Sequence, residues 1–227
     1  MTDNTKPRSQ SDAKSDALPM VVAITGASGA IYGLRLLQYL MEIEQPVDLL
    51  LSRAAMRVMQ EEHDLTFEGD VLSGLLSYLK LPDTVPVKLH SLGDYGASVA
   101  SGSYRTMGMV VLPCSLGTLG ALAAGLTENL IHRAGAVTLK EKRKLMIVVR
   151  EMPFGHIQLK NMLALSEAGA IVSCASPGFY HRPATVGDQI DFVVGRVLDQ
   201  FDFDNKLFKR WKEDSRPIVQ PTKSKAK

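Results

Sequence analysis

The sequence predicts one α/β domain built on a single doubly wound, mainly parallel sheet with helices on both faces. Three observations carry that expectation. Short apolar runs alternate with longer amphipathic stretches, the signature of βαβ units. The chain has 227 residues, enough for one sizeable domain with a buried core. It shows neither an internal repeat nor a second core. Hydrophobic residues make up 45% and charged residues 22% of the whole, a globular balance rather than a disordered one.

The elements follow in order. Met20–Thr25 (MVVAIT) reads as a buried strand that runs into Gly26-Ala-Ser-Gly29, and apolar residues at helical spacing make Leu34–Ile43 a helix. Val47–Leu51 is a second strand and Ala54–Glu62 a second helix. Thr66–Ser103 is punctuated by Gly, Pro and Ser and holds one helix and an edge strand. Met109–Pro113 (MVVLP) is another strand, ending in Cys114-Ser115, after which small residues dominate as far as Gly125. Asn129–Lys144 is helical, with a basic end that suits the negative pole of a helix dipole. Leu145–Arg150 is a strand, Gln158–Ala168 a helix, Ala170–Cys174 the last core strand and Val186–Phe201 a closing amphipathic helix.

Charge and cysteine usage narrow the function classes. Residues 205–227 hold eight basic and two acidic groups and residues 1–19 three of each, leaving 15 basic against 19 acidic between them. A nucleic-acid binder concentrates positive charge on its folded surface, so the basic C-terminal stretch reads as a solvated tail. Residues 1–18 are polar and aperiodic and read as a disordered extension; the folded domain is expected over 19–204. Two cysteines, Cys114 and Cys174, make no disulfide framework, and the five histidines show no metal-ligand spacing. No apolar run reaches the roughly 20 residues of a membrane span, and no secretory h-region precedes the first strand. A cytoplasmic protein without membrane or nucleic-acid partners is expected.

In a doubly wound sheet, ligands bind outside the carboxyl ends of the strands. Four strand exits stand out. Gly26–Gly29 allows close backbone approach and leads into a helix whose N–H groups could meet a phosphate; a tight strand-to-helix turn is the alternative. Ser52 could bond a ligand or cap the next helix. Pro113-Cys-Ser-Leu-Gly-Thr-Leu-Gly120 is a hydroxyl-rich and glycine-rich turn, in which Cys114 is packing rather than nucleophile. Arg150-Glu151 is either a surface ion pair or a carboxylate poised for proton transfer. Further on, Tyr180 and Arg196 suit phosphate oxygens, or else belong to the core and the solvated surface respectively. His156 and His181 read as structural, and Glu61–Asp64 as mostly a solvated helix face.

The set TGASGAIYGLRLL, LLSRAA, ASGS, LPCSLGTL, ENLIHRA, TLKEKRKL, VVREMPF and SPGFYHRP, in this order, resembles the flavin prenyltransferase family (UbiX/Pad type) over roughly Met20–Phe201. The resemblance implies a flavodoxin-like, Rossmann-type flavoprotein that assembles as a homododecamer with sites at subunit junctions. It implies transfer of a dimethylallyl group from dimethylallyl monophosphate to N5 and C6 of reduced FMN. The product, prenylated FMN, would serve a UbiD-type decarboxylase. By matching position, Gly26, Ala27, Ser28, Ser52, Ser115, Leu116, Gly117, Thr118 and Arg150 would hold FMN. Arg133, Lys140, Tyr180 and Arg196 would bind the prenyl phosphate, with Glu62 reaching the same site. Glu151 would be the acid/base, and Tyr95 would face the prenyl group where the family commonly has tryptophan. Arg53 replaces a usual lysine and Cys174 a common proline.

The residues themselves agree with metal-independent chemistry: there is no DDxxD cluster for Mg²⁺, and arginine, lysine and tyrosine can stabilise a monophosphate leaving group electrostatically. Tyr95 and the flavin offer π-faces to a developing allyl cation. Two other functions fit the sequence less well. An FMN-dependent cysteine decarboxylase would carry PASANT and PxMNxxM motifs where this chain has PCSLGT and REMPFGHIQLKNM. A non-catalytic flavin-binding partner subunit would leave Glu151 and a second phosphate site without purpose.

Overall fold

A computed structural model describes residues 17–67 and 69–212. Six strands form one parallel sheet: β1 (Met20–Ile24), β2 (Val47–Leu51), β3 (Val87–His90), β4 (Gly108–Cys114), β5 (Lys144–Val149) and β6 (Ile171–Cys174). Their order, β3-β2-β1-β4-β5-β6, reverses direction between β1 and β4. That reversal is the switch point of a Rossmann-type doubly wound sheet. β1, β2 and β4 are buried along their whole length and read as near-continuous apolar runs, broken in β2 by Asp48, whose carboxylate lies 2.6 Å from His90 Nε2 and accepts the Tyr104 hydroxyl at 3.0 Å.

Seven helices cover the faces among the described residues: α1 (Ala30–Glu42), α2 (Arg53–His63), α3 (Val71–Tyr78), α4 (Leu116–Ala123), α5 (Leu130–Lys140), α6 (His156–Glu167) and α7 (Val186–Gln200). One core layer joins α1 and α7 to residues such as Val22, Ile24, Leu49 and Leu112. The other packs Leu119, Leu130, Ile131 and Leu165 against Val21, Val111 and Ile147. Helix starts are set by local chemistry: Ser52, Asp70, Ser115, Asn129 and Thr185 each accept a backbone N–H from the first turn that follows. Among the described residues no helix is long and apolar enough to cross a membrane.

Three sequence expectations change. The small-residue stretch after Ser115 is not a turn but helix α4. The Ser115 cap and the burial of Leu119, Ala121 and Leu122 outweigh the low helix propensity of Gly117 and Gly120. The first helix begins at Ala30 rather than Leu34, because Gly33 lets it lie directly on the sheet: a Cβ there would come within 2.5 Å of the Leu112 carbonyl oxygen. Residues 205–212 do not leave the fold as a solvated tail. Asn205 and Phe208 are buried, and the Phe208 ring packs on Phe192 with centroids 4.9 Å apart. A Cβ on Gly195 of α7 would strike that ring at 2.6 Å, so the glycine makes the notch into which Phe208 fits. The expectations for residues 1–16 and 213–227 lie outside the described residues.

Candidate active site

Because every strand is parallel, the exits after β1, β2, β4, β5 and β6 share one edge of the sheet. At the first exit, Gly26 is required by packing: a Cβ would lie 2.3 Å from that of Ala54 on α2. Ala27 is buried and Ser28 exposed. The expected free N–H groups of the next helix are already taken. Both carboxylate oxygens of Glu62 accept from the Gly29 N–H at 2.9 Å, and one accepts from the Ala30 N–H at 3.1 Å. Glu62 is therefore the cap of α1, delivered from α2, and its charge suits the positive end of that helix.

Desolvation alone would raise the Glu62 carboxyl, but bonds from the Ser28 hydroxyl and the two backbone donors outweigh it and hold it below its ordinary value. A depressed carboxyl stabilises the fold at pH above its unfolded value and loses that contribution as pH falls through the folded one. Glu62→Gln is accordingly expected to cost about 1 kcal/mol near neutrality, a typical cap. Urea titrations at several pH values should show the gap to wild type closing in acid; a gap independent of pH would refute the charge assignment.

At the second exit Ser52 caps α2, accepting from the Ala55 N–H at 2.9 Å. At the third, Thr25 ties two loops together: its hydroxyl donates to the Pro113 carbonyl and accepts from the Ser115 N–H, both at 2.7 Å. The Ser115 and Thr118 hydroxyls lie 3.1 Å apart in the first turn of α4. A Cβ on Gly117 would meet nothing within 4 Å, so this helix start faces open space and leaves its backbone approachable. Burial pushes the Cys114 thiol up to about 12, so it stays protonated and inert.

At the fourth exit Arg150 and Glu151 part company. The Glu151 carboxylate accepts the N–H of Met152 at 3.0 Å. Arg150 turns toward the first exit, where its side chain would be 3.8 Å from a Cβ on Gly29, and it partly offsets the burial that raises the Tyr32 hydroxyl. Its Nε is buried without a hydrogen-bond partner in this structure. An unpaired guanidinium nitrogen is costly to bury, and an acceptor on a bound ligand would satisfy it. This orphaned donor, the open α4 start and the Gly26–Ser28 loop fit the FMN that the sequence resemblance implies.

Beyond β6, Tyr180 and Arg196 neither join the core nor stand alone. Tyr180 is partly exposed and meets Phe192 and Trp211 edge-on, at 5.7 and 5.3 Å. Arg196 donates to Asp199 at 2.8 Å and, with Ser173, Cys174 and Ser176, lines a cavity of about 170 Å³. His181 stacks on Phe192 at 5.0 Å, with both ring nitrogens buried and without a hydrogen-bond partner in this structure. A larger cavity of about 570 Å³ lies beside the ends of β2 and β3, bordered by Leu51, Arg53, Met56 and His90; it contains none of the expected site residues.

The remaining site residues lie elsewhere on the chain. Arg133 and Lys140 are seven residues apart on α5, hence on one helix face, and both are exposed. Arg133 Nε donates to the Ala100 carbonyl at 3.1 Å, while Lys140 pairs with Glu141 at 2.9 Å. Tyr95, about half exposed, donates to the Glu128 carbonyl at 2.5 Å, just ahead of α5. Lys140 ends its helix four residues before β5 begins, whereas Glu151 follows the other end of that strand. Six residues of strand separate these edges by about 20 Å. Lys140 therefore lies at the opposite edge of the sheet from Glu151, and Arg133, about 10 Å back along α5, lies between the two edges. Large apolar side chains are exposed after β5 and β6, among them Met152 and Ile157 and, further on, Phe179.

Comparison with known proteins agrees with this geometry. The flavoprotein family model matches residues 8–197. The chain is 46% identical over 197 residues to the flavin prenyltransferase UbiX of Aquifex aeolicus, spanning 85% of this chain and 98% of that protein. Its fold resembles AnUbiX (PadA1), solved in complex with FMN and dimethylallyl pyrophosphate, with a TM-score of 0.76 and 37% identity over 86% of this chain and 97% of that one. It also resembles a dodecameric FMN-dependent UbiX-like decarboxylase from Escherichia coli O157:H7, with a TM-score of 0.75 and 39% identity over 86% and 99% of the two chains. At these identities and coverages the chain belongs to the flavoprotein family and, within it, to the UbiX flavin prenyltransferases.

Proposed function

We propose that this protein joins the dimethylallyl group of dimethylallyl monophosphate to N5 and C6 of reduced FMN. The observation that carries the reading is the buried, unpartnered Nε of Arg150 beside the Gly26–Gly29 loop, which marks a place for an acceptor-rich ligand at the strand exits. Reduced FMN supplies the nucleophilic ring positions. Gly26, Ala27, Ser28, Ser52, the Ser115–Thr118 turn and Arg150 hold it. Tyr180 and Arg196 bind the prenyl phosphate next to the small cavity at the β6 exit. Arg133, Lys140 and Tyr95 come from a neighbouring copy: Lys140 lies at the opposite edge of the sheet from Glu151, and Arg133 shares its exposed face of α5.

As the C–O bond to the phosphate breaks, arginine, lysine and tyrosine stabilise the charge that develops on the leaving group, while Tyr95 lends a π-face to the allyl group. The Glu151 carboxyl relays a proton as the phosphate leaves and again as the ring closes, when the prenyl double bond gains a proton and C6 loses one as the C–C bond forms. Glu62 reaches this site only indirectly, by fixing Ser28 and the start of α1. The prenylated flavin passes to a UbiD-type decarboxylase.

Incubation with reduced FMN and dimethylallyl monophosphate, followed by mass analysis of the flavin, tests the reading. A flavin heavier by one dimethylallyl group supports it; an unmodified flavin refutes it. Enzyme treated with EDTA is expected to retain full prenyl transfer, because the leaving group is met by protein cations. Activity that disappears with EDTA and returns with Mg²⁺ would overturn that account.

A further inference from the structure

Helix α7 carries Arg196 and Asp199 one turn apart, and the segment after it folds back to bring Arg210 onto the same carboxylate. Arg196 gives Asp199 one nitrogen, to Oδ2 at 2.8 Å. Arg210 gives two, NH2 to Oδ1 at 2.8 Å and NH1 to Oδ2 at 3.1 Å. Asn205 Nδ2 adds a bond to Oδ1 at 3.0 Å. One negative charge is therefore shared by two guanidinium groups. Burial alone would raise the Asp199 carboxyl, but Arg210, Asn205 and Arg196 together hold it below its ordinary value.

The two arginines are not equivalent. Arg210 uses the planar fork that suits a carboxylate, and Phe208 anchors its segment in the notch at Gly195. Arg196 is held by a single nitrogen, its side chain is 51% exposed, and it borders the cavity that also holds Ser173, Cys174 and Ser176. We propose that Arg210 is a positioning residue for the prenyl phosphate: by neutralising Asp199, it releases Arg196 to the substrate. The inference rests on the assignment of Arg196 as a phosphate ligand.

The physical reason is competition. A phosphate that approaches Arg196 is repelled by Asp199 and must take the guanidinium from it. While Arg210 remains on the carboxylate, the departure of Arg196 strands no charge. Without Arg210, that departure would leave a carboxylate only 14% exposed without a cation, and breaking such a pair is expensive. Asp199 would then keep Arg196, and the substrate would bind less well.

The test compares kcat and KM for dimethylallyl monophosphate, with reduced FMN saturating, in wild type, R210A, R210K, D199N and D199N/R210A, alongside thermal midpoints. R210A is expected to raise KM about tenfold, the weight of one charge-assisted hydrogen-bonded pair, with kcat nearly unchanged. R210K, which keeps the charge and loses the fork, should recover part of the defect. D199N/R210A should return KM toward wild type even though its thermal midpoint is no higher than that of R210A, because no carboxylate remains to hold Arg196. A double variant with KM as high as R210A would overturn the proposal and make Arg210 a purely structural residue. R196A separates the two levels of the argument. If R196A raises KM while R210A does not, the positioning role alone fails; if R196A leaves KM unchanged, the phosphate assignment fails and the proposal with it.

Discussion

Glu151→Gln is expected to slow prenyl transfer by about two to four orders of magnitude, the usual worth of general acid/base catalysis, while FMN binding stays near wild type. Glutamine keeps the size of the side chain and its ability to accept the Met152 N–H, the bond that Glu151 makes at 3.0 Å. What it removes is the proton that the carboxyl can take up and release. Because Arg150 turns away to the Gly29 loop, the two residues separate binding from proton transfer. Arg196→Ala should fail in another way. It should weaken prenyl-phosphate binding by about 2–5 kcal/mol where the assembled site desolvates the pair, and excess substrate should restore part of the rate. Initial rates over a range of dimethylallyl monophosphate concentrations decide the matter. A Glu151→Gln enzyme with normal maximal rate and raised KM would make Glu151 a binding residue and end the acid/base assignment. An Arg196→Ala enzyme that matches wild type would leave the phosphate to Arg133, Lys140 and Tyr180.

Mixing two inactive variants should restore activity. Glu151→Gln spoils the surface at the strand exits, and the double variant R133A/K140A spoils the exposed face of α5. If each site takes its carboxylate from one copy and its cations from another, co-expression of the two variants creates some sites with neither defect. Random assembly gives about one such site in four, against the trace of activity left to either variant alone. The recovered oligomer would be assayed for prenylated flavin after each variant has been shown to assemble by itself. No recovery in a mixed oligomer would mean that Arg133 and Lys140 serve the same chain as Glu151, or no site at all. The separation of about 20 Å along β5 argues against the first of these for Lys140, and the exposure of Arg133 and Lys140 is what a surface awaiting a partner requires.

What the sequence determined by itself was whatever local chemistry encodes. The buried strands are mostly apolar, and Val47–Leu51 matches the predicted strand to the residue in spite of Asp48 within it. Ser52 and Asn129 announce helix starts because a side-chain oxygen near the first turn has one obvious donor to bind. The Gly, Pro and Ser punctuation of Thr66–Ser103 predicted one helix and an edge strand, and β3 is indeed outermost. The strand exits with unusual residues were visible because parallel strands force those loops to one edge. The tertiary structure alone decided three things. Glu62 lies 33 residues from Gly29, and only the packing of α2 beside α1 shows that it caps that helix. Asn205–Arg210 looked like tail because its anchors, the Gly195 notch and the Asp199 carboxylate, are contributed by another element. Helix α5 runs antiparallel to its strand, so its C-terminal end, with Lys140, is carried away from the edge where β5 releases Glu151. In each case the deciding interaction joins residues distant in sequence, and no local pattern of apolar spacing, caps or turns records which distant group will fill a helix end, a notch or a charge.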